Sequence, residues 1–482
     1  MAQPPKPLDS ESIHQARLQE LRRRHPRFAY ESFSIEQASS ALRVRFRFRI
    51  EPDIAFSPET VIEVPDPEWL GRAAQPAFEN LVFHLGLVEM LSCWKAACSP
   101  EIVIQAGSLN AEQIAWWLDL LRRGMGEYFY VNQIDFRPAD FVRIIPEGAI
   151  RAARVSKRGN ISDTPLPHGR GSDAQQRDLV LTSGGKDSVV TLELLREAGL
   201  PFDCLLLNPT PAALAIAKQA GCEKPIIVHR TIDKRLLELN AQGYLNGHTP
   251  FSALLAFLGV AVAALGGYSR VIVSNERSAE EAGVEYLGHP INHQYSKTLQ
   301  FETAFREYAR KHLSTDIEYF SLLRPLYELQ IARLFARYPQ YFPLFRSCNR
   351  GMATNTWCGR CPKCLFVFTV LYPFVKREQV LSIFGADLFA WEGAAEVLRA
   401  LLGQDAAKPL ECVGTREETL AAVHLCVEKY REEQVPLPAS LQTMQETVLS
   451  ARTDLPELTQ RVLADQHFLP PELQDTIRGH VS

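Results

Sequence analysis

A chain of 482 residues with 46% apolar and 22% charged residues is long enough for two or three domains with sizeable cores. Its 52 basic and 56 acidic side chains leave a net charge of -4, so the balance calls for neither a nucleic-acid surface nor an anionic membrane. Partners have to be argued from sites.

The opening segment, MAQPPKPLDSESIHQARLQELRRRHPRF, is polar and basic without an apolar core, which predicts neither a secretory signal nor a membrane anchor and a cytoplasmic setting. ALRVRFRFRI then alternates, with Leu42, Val44, Phe46, Phe48 and Ile50 on one face and Arg43, Arg45, Arg47 and Arg49 on the other, as a half-buried strand does. The arginine face suits open solvent or a nucleotide diphosphate. RFAYESFSIE and SPETVIEV can pair with this strand as an antiparallel meander, and FENLVFHLGLVEMLSCWKAA and NAEQIAWWLDLLRRGM carry helical periodicity. Residues 1–155 therefore read as an α+β domain. Residues 156–177, SKRGNISDTPLPHGRGSDAQQR, are polar with Gly, Pro and Ser and read as a flexible linker.

After the linker, the apolar runs LVLT, CLLLN, PIIVH, RVIVSN and IEYFSLL alternate with helical patterns, which predicts βαβ units and a parallel sheet with ligands at the strands' carboxyl ends. FSALLAFLGVAVAALGGY, Phe251 to Tyr268, carries no charge over a length that approaches a membrane span. Its Ala and Gly content and its isolation favour a buried helix of a multilayer domain.

The first chemistry lies in DLVLTSGGKDSVVTLELL, where an apolar strand leads through a turn into a helix. Gly184 and Gly185 let backbone amides approach an anion, Ser183 and Ser188 add hydroxyls, and the helix start adds partial positive charge. With Lys186 this is a phosphate cradle, and Asp187 is a candidate Mg²⁺ partner. The Walker spacing is absent.

Loops farther along offer titratable groups in GYLNGHTP, SNERSAEE and HPINHQYSK. His293 titrates near neutrality and Lys297 can pair with a carboxylate or act as a base if desolvated, with His248 and Tyr295 as further proton carriers. Each reads at least as readily as a satisfied hydrogen-bonding side chain, His248 and Tyr295 more so than His293. Arg277, Arg324, Arg346 and Arg350 suit carboxylate or diphosphate recognition, and Asn292 is a further candidate substrate contact.

SCNRGMATNTWCGRCPKC supplies Cys348, Cys358, Cys361 and Cys364, a set that suits a closed structural Zn²⁺ site, with an iron–sulfur cluster or unligated thiols as alternatives. Cys93, Cys98, Cys204, Cys222, Cys412 and Cys426 read as structural residues. Residues 377–482 are helical and charged, without a repeat or a chemical motif.

SGGKDS after an apolar strand resembles the phosphate-binding signature of the PP-loop ATP pyrophosphatases, which split ATP between the α and β phosphates and adenylate an oxygen of the second substrate. A similar cysteine cluster occurs in the PP-loop 7-cyano-7-deazaguanine synthases. In combination, NGH, NHQYSK and CNR with WCGRCPKC, over roughly Asp178 to Phe374, resemble the UDP-N-acetylmuramoyl-L-alanyl-L-glutamate epimerases, the MurL family.

The implied fold is α/β: a PP-loop parallel-sheet domain over 178–376 with the four-cysteine zinc site, the N-terminal α+β domain, and a helical C-terminal region over 377–482. The implied reaction is ATP-dependent epimerisation of the terminal L-glutamate through an acyl-adenylate, releasing AMP and pyrophosphate, in peptidoglycan precursor biosynthesis. Implied partners are ATP with Mg²⁺ and the UDP-muramoyl dipeptide, with no nucleic acid and no membrane. Two other readings stay open: another PP-loop amidating or tRNA-modifying enzyme, and a catalytically silent adenine-nucleotide sensor.

Overall fold

A computed structural model describes residues 10–147, 177–404, 407–452, 454–455 and 463–481. The segment read as a linker, 156–177, lies outside these except for Arg177. The chain forms a mixed α/β fold of two compact units that are interleaved in sequence. One runs from the N-terminus to His168 and adds Val228–Gly266 and Glu285–Ser296; the other takes Gly169–Ile227, Gly267–Val284 and Lys297–Ser482.

The first unit is built on the expected meander. Strands Arg27–Ala38, Ala41–Ile50, Ile54–Phe56 and Glu59–Glu63 pair antiparallel around Ala41–Ile50, whose Leu42, Val44, Phe46, Phe48 and Ile50 are all fully buried. The opposite face carries ion pairs rather than an empty basic patch. Arg43 pairs with Glu59, Arg45 with Glu59 at 3.0 Å and Arg49 with Glu31 at 2.5 Å. Strands Glu101–Ile104 and Arg143–Pro146 extend the sheet in parallel beside Arg27–Ala38.

One strand has an edge that the parallel expectation did not include. Residues 228–231 of Ile226–Thr231, the PIIVH run, pair antiparallel with Glu59–Ile62 of the meander. The apolar run becomes the helix Phe251–Gly266, 16 residues long and buried against the helix Pro76–Glu89. Among the described residues no helix is long and apolar enough to cross a membrane.

In the second unit, strands Glu318–Ser321, Arg270–Val273, Asp178–Leu181 and Phe202–Leu207 lie side by side in that order, all parallel. Asp178–Leu181 comes first in the chain yet sits inside the sheet, with its next strand on one side and the later Arg270–Val273 on the other. Connections therefore leave it in opposite directions, and the crevice at its carboxyl end is where an open sheet binds ligands. SGGKDS occupies that end.

Helices Pro362–Leu371, Arg377–Phe384, Ala394–Leu401, Arg416–Glu432 and Ala439–Thr447 share one apolar core with this sheet, through residues such as Val190, Phe335, Phe368, Val423 and Leu441.

Candidate functional sites

The glycine loop is shaped by its surroundings. The Gly184 carbonyl accepts from the Arg346 amide at 2.6 Å, and a Cβ on Gly184 would lie 2.9 Å from Ala212 Cβ and 3.0 Å from the Arg346 carbonyl. Only glycine fits there without displacing the 346 segment. Ser188 Oγ accepts from the Ser183 amide at 2.9 Å and lies 3.1 Å from Ser183 Oγ, which closes the turn. Gly185 caps the helix Lys186–Glu197 with no side chain, so the first-turn amides are left for an anion.

Lys186 and Asp187 enter a charge cluster larger than the sequence suggested. The buried Lys186 ammonium contacts Asp187 at 2.5 Å and also Glu328, which starts the helix Glu328–Phe335. Burial opposes the charge on Lys186, but these carboxylates outweigh it and raise its pKa. Burial, reinforced by Asp187 and Glu276 and opposed by Lys186, pushes Glu328 up to about 8. Burial thus holds Glu328 toward its protonated form beside Lys186.

Lys297 is likewise held above its ordinary range, because Cys412, Glu276, Asp187 and Glu328 outweigh the desolvation that opposes them. Lys297 is half-buried, and its neighbours favour its charged form over a neutral base. Cys412, read as a core thiol, is instead half-buried beside it. Glu276 is 2% exposed, and its Oε2 has no hydrogen-bond partner among the described residues.

The four arginines differ. Arg324 is fully buried and already engaged: Nε with Glu302 at 3.0 Å, Nη1 with the Glu276 carbonyl at 3.0 Å, and Nη2 with the Lys297 carbonyl. Its expected contact with substrate is replaced by a positioning role, since it fixes the main chain that carries Glu276 and Lys297. Arg277 is half-buried, its amide donating to the Leu326 carbonyl at 2.8 Å, and Arg350 is exposed two positions beyond Cys348. Arg346 lies beside the loop with its Nε buried and unpartnered, and burial lowers its pKa.

The cysteines converge as their spacing predicts. One donor sulfur from each of Cys348, Cys358, Cys361 and Cys364 lies within 4.8 Å of the others, with Cys348–Cys361 at 3.9 Å and Cys358–Cys364 at 3.7 Å. Four sulfurs about 2.3 Å from one zinc stand about 3.8 Å apart, whereas a disulfide needs about 2.05 Å. Backbone amides of Gly351 and Cys364 donate to Cys348 and Cys361 sulfurs at 3.2 and 3.4 Å. Hydrogen bonding from Cys364, chiefly, holds the Cys361 thiol down at about 5 against burial.

In the first unit, His293 Nδ1 is hydrogen-bonded to the Glu127 carboxylate, and the His248 ring lies 4.4 Å from that of His293, centroid to centroid. Asn292 Oδ1 accepts from the Gln294 amide at 2.7 Å and so shapes the turn that presents His293. Tyr295 is held protonated by burial, with its hydroxyl 3.4 Å from Asp119. Glu127, Glu276 and Glu328 were not singled out by sequence. Glu276 lies within a motif already marked, SNERSAEE, but the other two are distant along the chain from the residues they meet.

A parallel sheet with an uncapped glycine loop at its switch point, and a four-cysteine cluster in the same unit, defines a mixed α/β protein with a helix start whose amides no side chain caps and a separate cluster spaced to suit a metal ion. The MurL N-terminal domain model matches residues 19–322 and the MurL C-terminal domain model residues 344–454. The chain belongs to the MurL family.

Three relatives, each named UDP-N-acetyl-alpha-D-muramoyl-L-alanyl-L-glutamate epimerase, are similar over most of its length. One from a Micromonospora species is 35% identical over 462 residues, covering 93% of this chain and 97% of the relative. One from Salinispora tropica is 37% identical over 392 residues, 79% and 80% of the two chains. One from Xanthomonas oryzae pv. oryzae is 32% identical over 430 residues, 88% and 91%.

Proposed function

We propose that this chain is an isomerase that converts the terminal L-glutamate of UDP-N-acetylmuramoyl-L-alanyl-L-glutamate to D-glutamate, using ATP, for peptidoglycan precursor synthesis. The observation that carries this is family membership across nearly the whole chain, with relatives that bear that activity in their names.

The chemistry gives a reason for ATP. An α-proton beside an ionised carboxylate is barely acidic, because its removal places a second negative charge on the same small group. An acyl-adenylate has lost the first charge and can delocalise the new one. Adenylation, with release of pyrophosphate, is assigned to the loop of Ser183, Gly184, Gly185, Lys186, Asp187 and Ser188, in the manner of a PP-loop. Lys186 and the first-turn amides offset phosphate charge there.

A Mg²⁺ ion would supply further charge neutralisation. Asp187 and Glu276 are the residues to hold it, and the unpartnered Glu276 oxygen suits a hard cation. Zinc at the four cysteines would be structural, and the sulfur spacings fit it.

Proton removal is assigned to His293. Lys297 supplies positive charge or an acid, in keeping with its raised pKa. Hydrolysis of the adenylate then frees AMP and the product. Arg277, Asn292 and Arg350 remain candidates for holding the substrate's carboxylate or diphosphate, and Arg346 joins them through its unpartnered Nε. The partners on this reading are small molecules, with neither nucleic acid nor membrane, in the cytoplasm where nucleotide precursors and reduced thiols coexist.

The test is incubation with ATP, Mg²⁺ and the L-glutamyl substrate in deuterated water. The D-glutamyl product should carry deuterium at the α-carbon, with AMP and pyrophosphate formed and no ADP. Epimerisation that runs equally well without ATP refutes the adenylation, and AMP formation over an unlabelled, unchanged L-centre points to an amidating enzyme instead.

A further inference from the structure

We propose that Glu127, His293 and His248 form a proton relay, in which Glu127 positions His293 as the base that takes the glutamate α-proton and His248 passes that proton to solvent. The proposal rests on the epimerase reading above.

Three separate stretches of chain are brought to this point and held. Glu127 lies in the first turn of the helix Gly126–Val131. His293 follows the strand His289–Ile291. His248 follows a stretch of loop anchored twice: Lys95 Nζ donates to the Gly247 carbonyl at 2.7 Å, and Asn132 Nδ2 donates to the Asn246 carbonyl at 2.9 Å. A Cβ on Gly247 would lie 3.1 Å from the Tyr128 ring, so the loop packs closely on the helix that carries Glu127. One donor atom from each of the three residues lies within 4.8 Å of the others, and all three side chains are half-buried.

The geometry gives each residue a distinct part. A carboxylate that accepts from Nδ1–H fixes the imidazole tautomer and leaves the Nε2 lone pair as the base. When Nε2 takes the α-proton, the electron pair of the C–H bond moves onto the activated acyl carbonyl, and His293 becomes an imidazolium beside the Glu127 carboxylate that stabilises it. An acid on the opposite face of the carbon supplies the new proton. His293 must then lose its own proton before the next cycle, and the His248 ring against it is the route. Two rings 4.4 Å apart leave no room for a carbon between them, so His248 is not the opposite-face acid.

Glu127→Gln keeps the size of the side chain and removes its charge. In deuterated water, the ratio of α-carbon deuterium incorporated to AMP formed should fall about 100-fold, the scale of general acid–base assistance, while KM for the dipeptide substrate stays within about threefold. Glu127→Asp should restore part of that ratio, which a merely structural defect would not allow. An unchanged ratio in Glu127→Gln, while the wild type epimerises, overturns the relay alone. A wild type that forms no D-glutamyl product overturns the epimerase reading together with it. A zinc ion lost in Glu127→Gln but retained in Cys361→Ser overturns the relay in favour of a metal site on these residues.

Discussion

Glu328 offers a measurable consequence of burying a carboxyl group beside the glycine loop. Its pKa rises from 4.5 to about 8 on folding, because burial outweighs the attraction of Lys186. Between these values the folded protein holds a proton that the unfolded chain has released, so stability is greater at low pH and is lost as pH rises. The limiting slope is about 1.4 kcal/mol per pH unit, and from pH 5 to pH 8 this one group removes a few kcal/mol. Glu328→Gln keeps an acceptor for the Lys186 ammonium and cannot ionise. Urea unfolding followed by tryptophan fluorescence at pH 5, 6, 7 and 8 should show wild type losing stability relative to Glu328→Gln by about that amount. Parallel pH profiles for the two proteins would refute the reasoning, and a wild type that gains on the variant as pH rises would show that Lys186 dominates burial.

Asp187→Ala should fold and lose AMP formation by about 100-fold or more, because its half-exposed carboxylate belongs to the charge balance of the loop; wild-type AMP release from the folded variant counts against it. Metal analysis should find about one zinc per chain, and Cys361→Ser should lower both zinc content and thermal stability; stoichiometric iron with visible absorbance would replace zinc with a cluster. Arg324→Met should cost about 3–5 kcal/mol, because it leaves the buried Glu302 without its cation. A loss below about 1 kcal/mol would mean that Glu302 simply takes up a proton.

Features encoded by local pattern were legible in the sequence. Strict alternation in Ala41–Ile50 has only one structural solution when a single face is buried, and the glycine pair after an apolar strand marked the loop at the switch point. Close cysteine spacing likewise announced the four-thiolate cluster. Partnerships between distant residues were not legible. Glu328 lies 142 positions from Lys186, and Glu127 lies 166 positions from His293. Neither acid stands in a pattern that sets it apart from the many other carboxylates of the chain. Arg324 reads as a surface arginine until Glu302 and two carbonyls are seen around it. The PIIVH run matches a parallel inner strand in composition, and nothing in it announces the antiparallel pairing of its end with Glu59–Ile62.

The interleaved chain path bears on how the protein is made. The helix Pro76–Glu89 emerges from the ribosome early, yet the helix that covers it, Phe251–Gly266, does not exist until residue 266 has been added. At roughly 5–20 residues per second this is a wait of about 9–35 s with an apolar surface uncovered. The nascent N-terminal half is thus a natural client for chaperones, and a fragment ending before residue 228 would keep that surface exposed indefinitely.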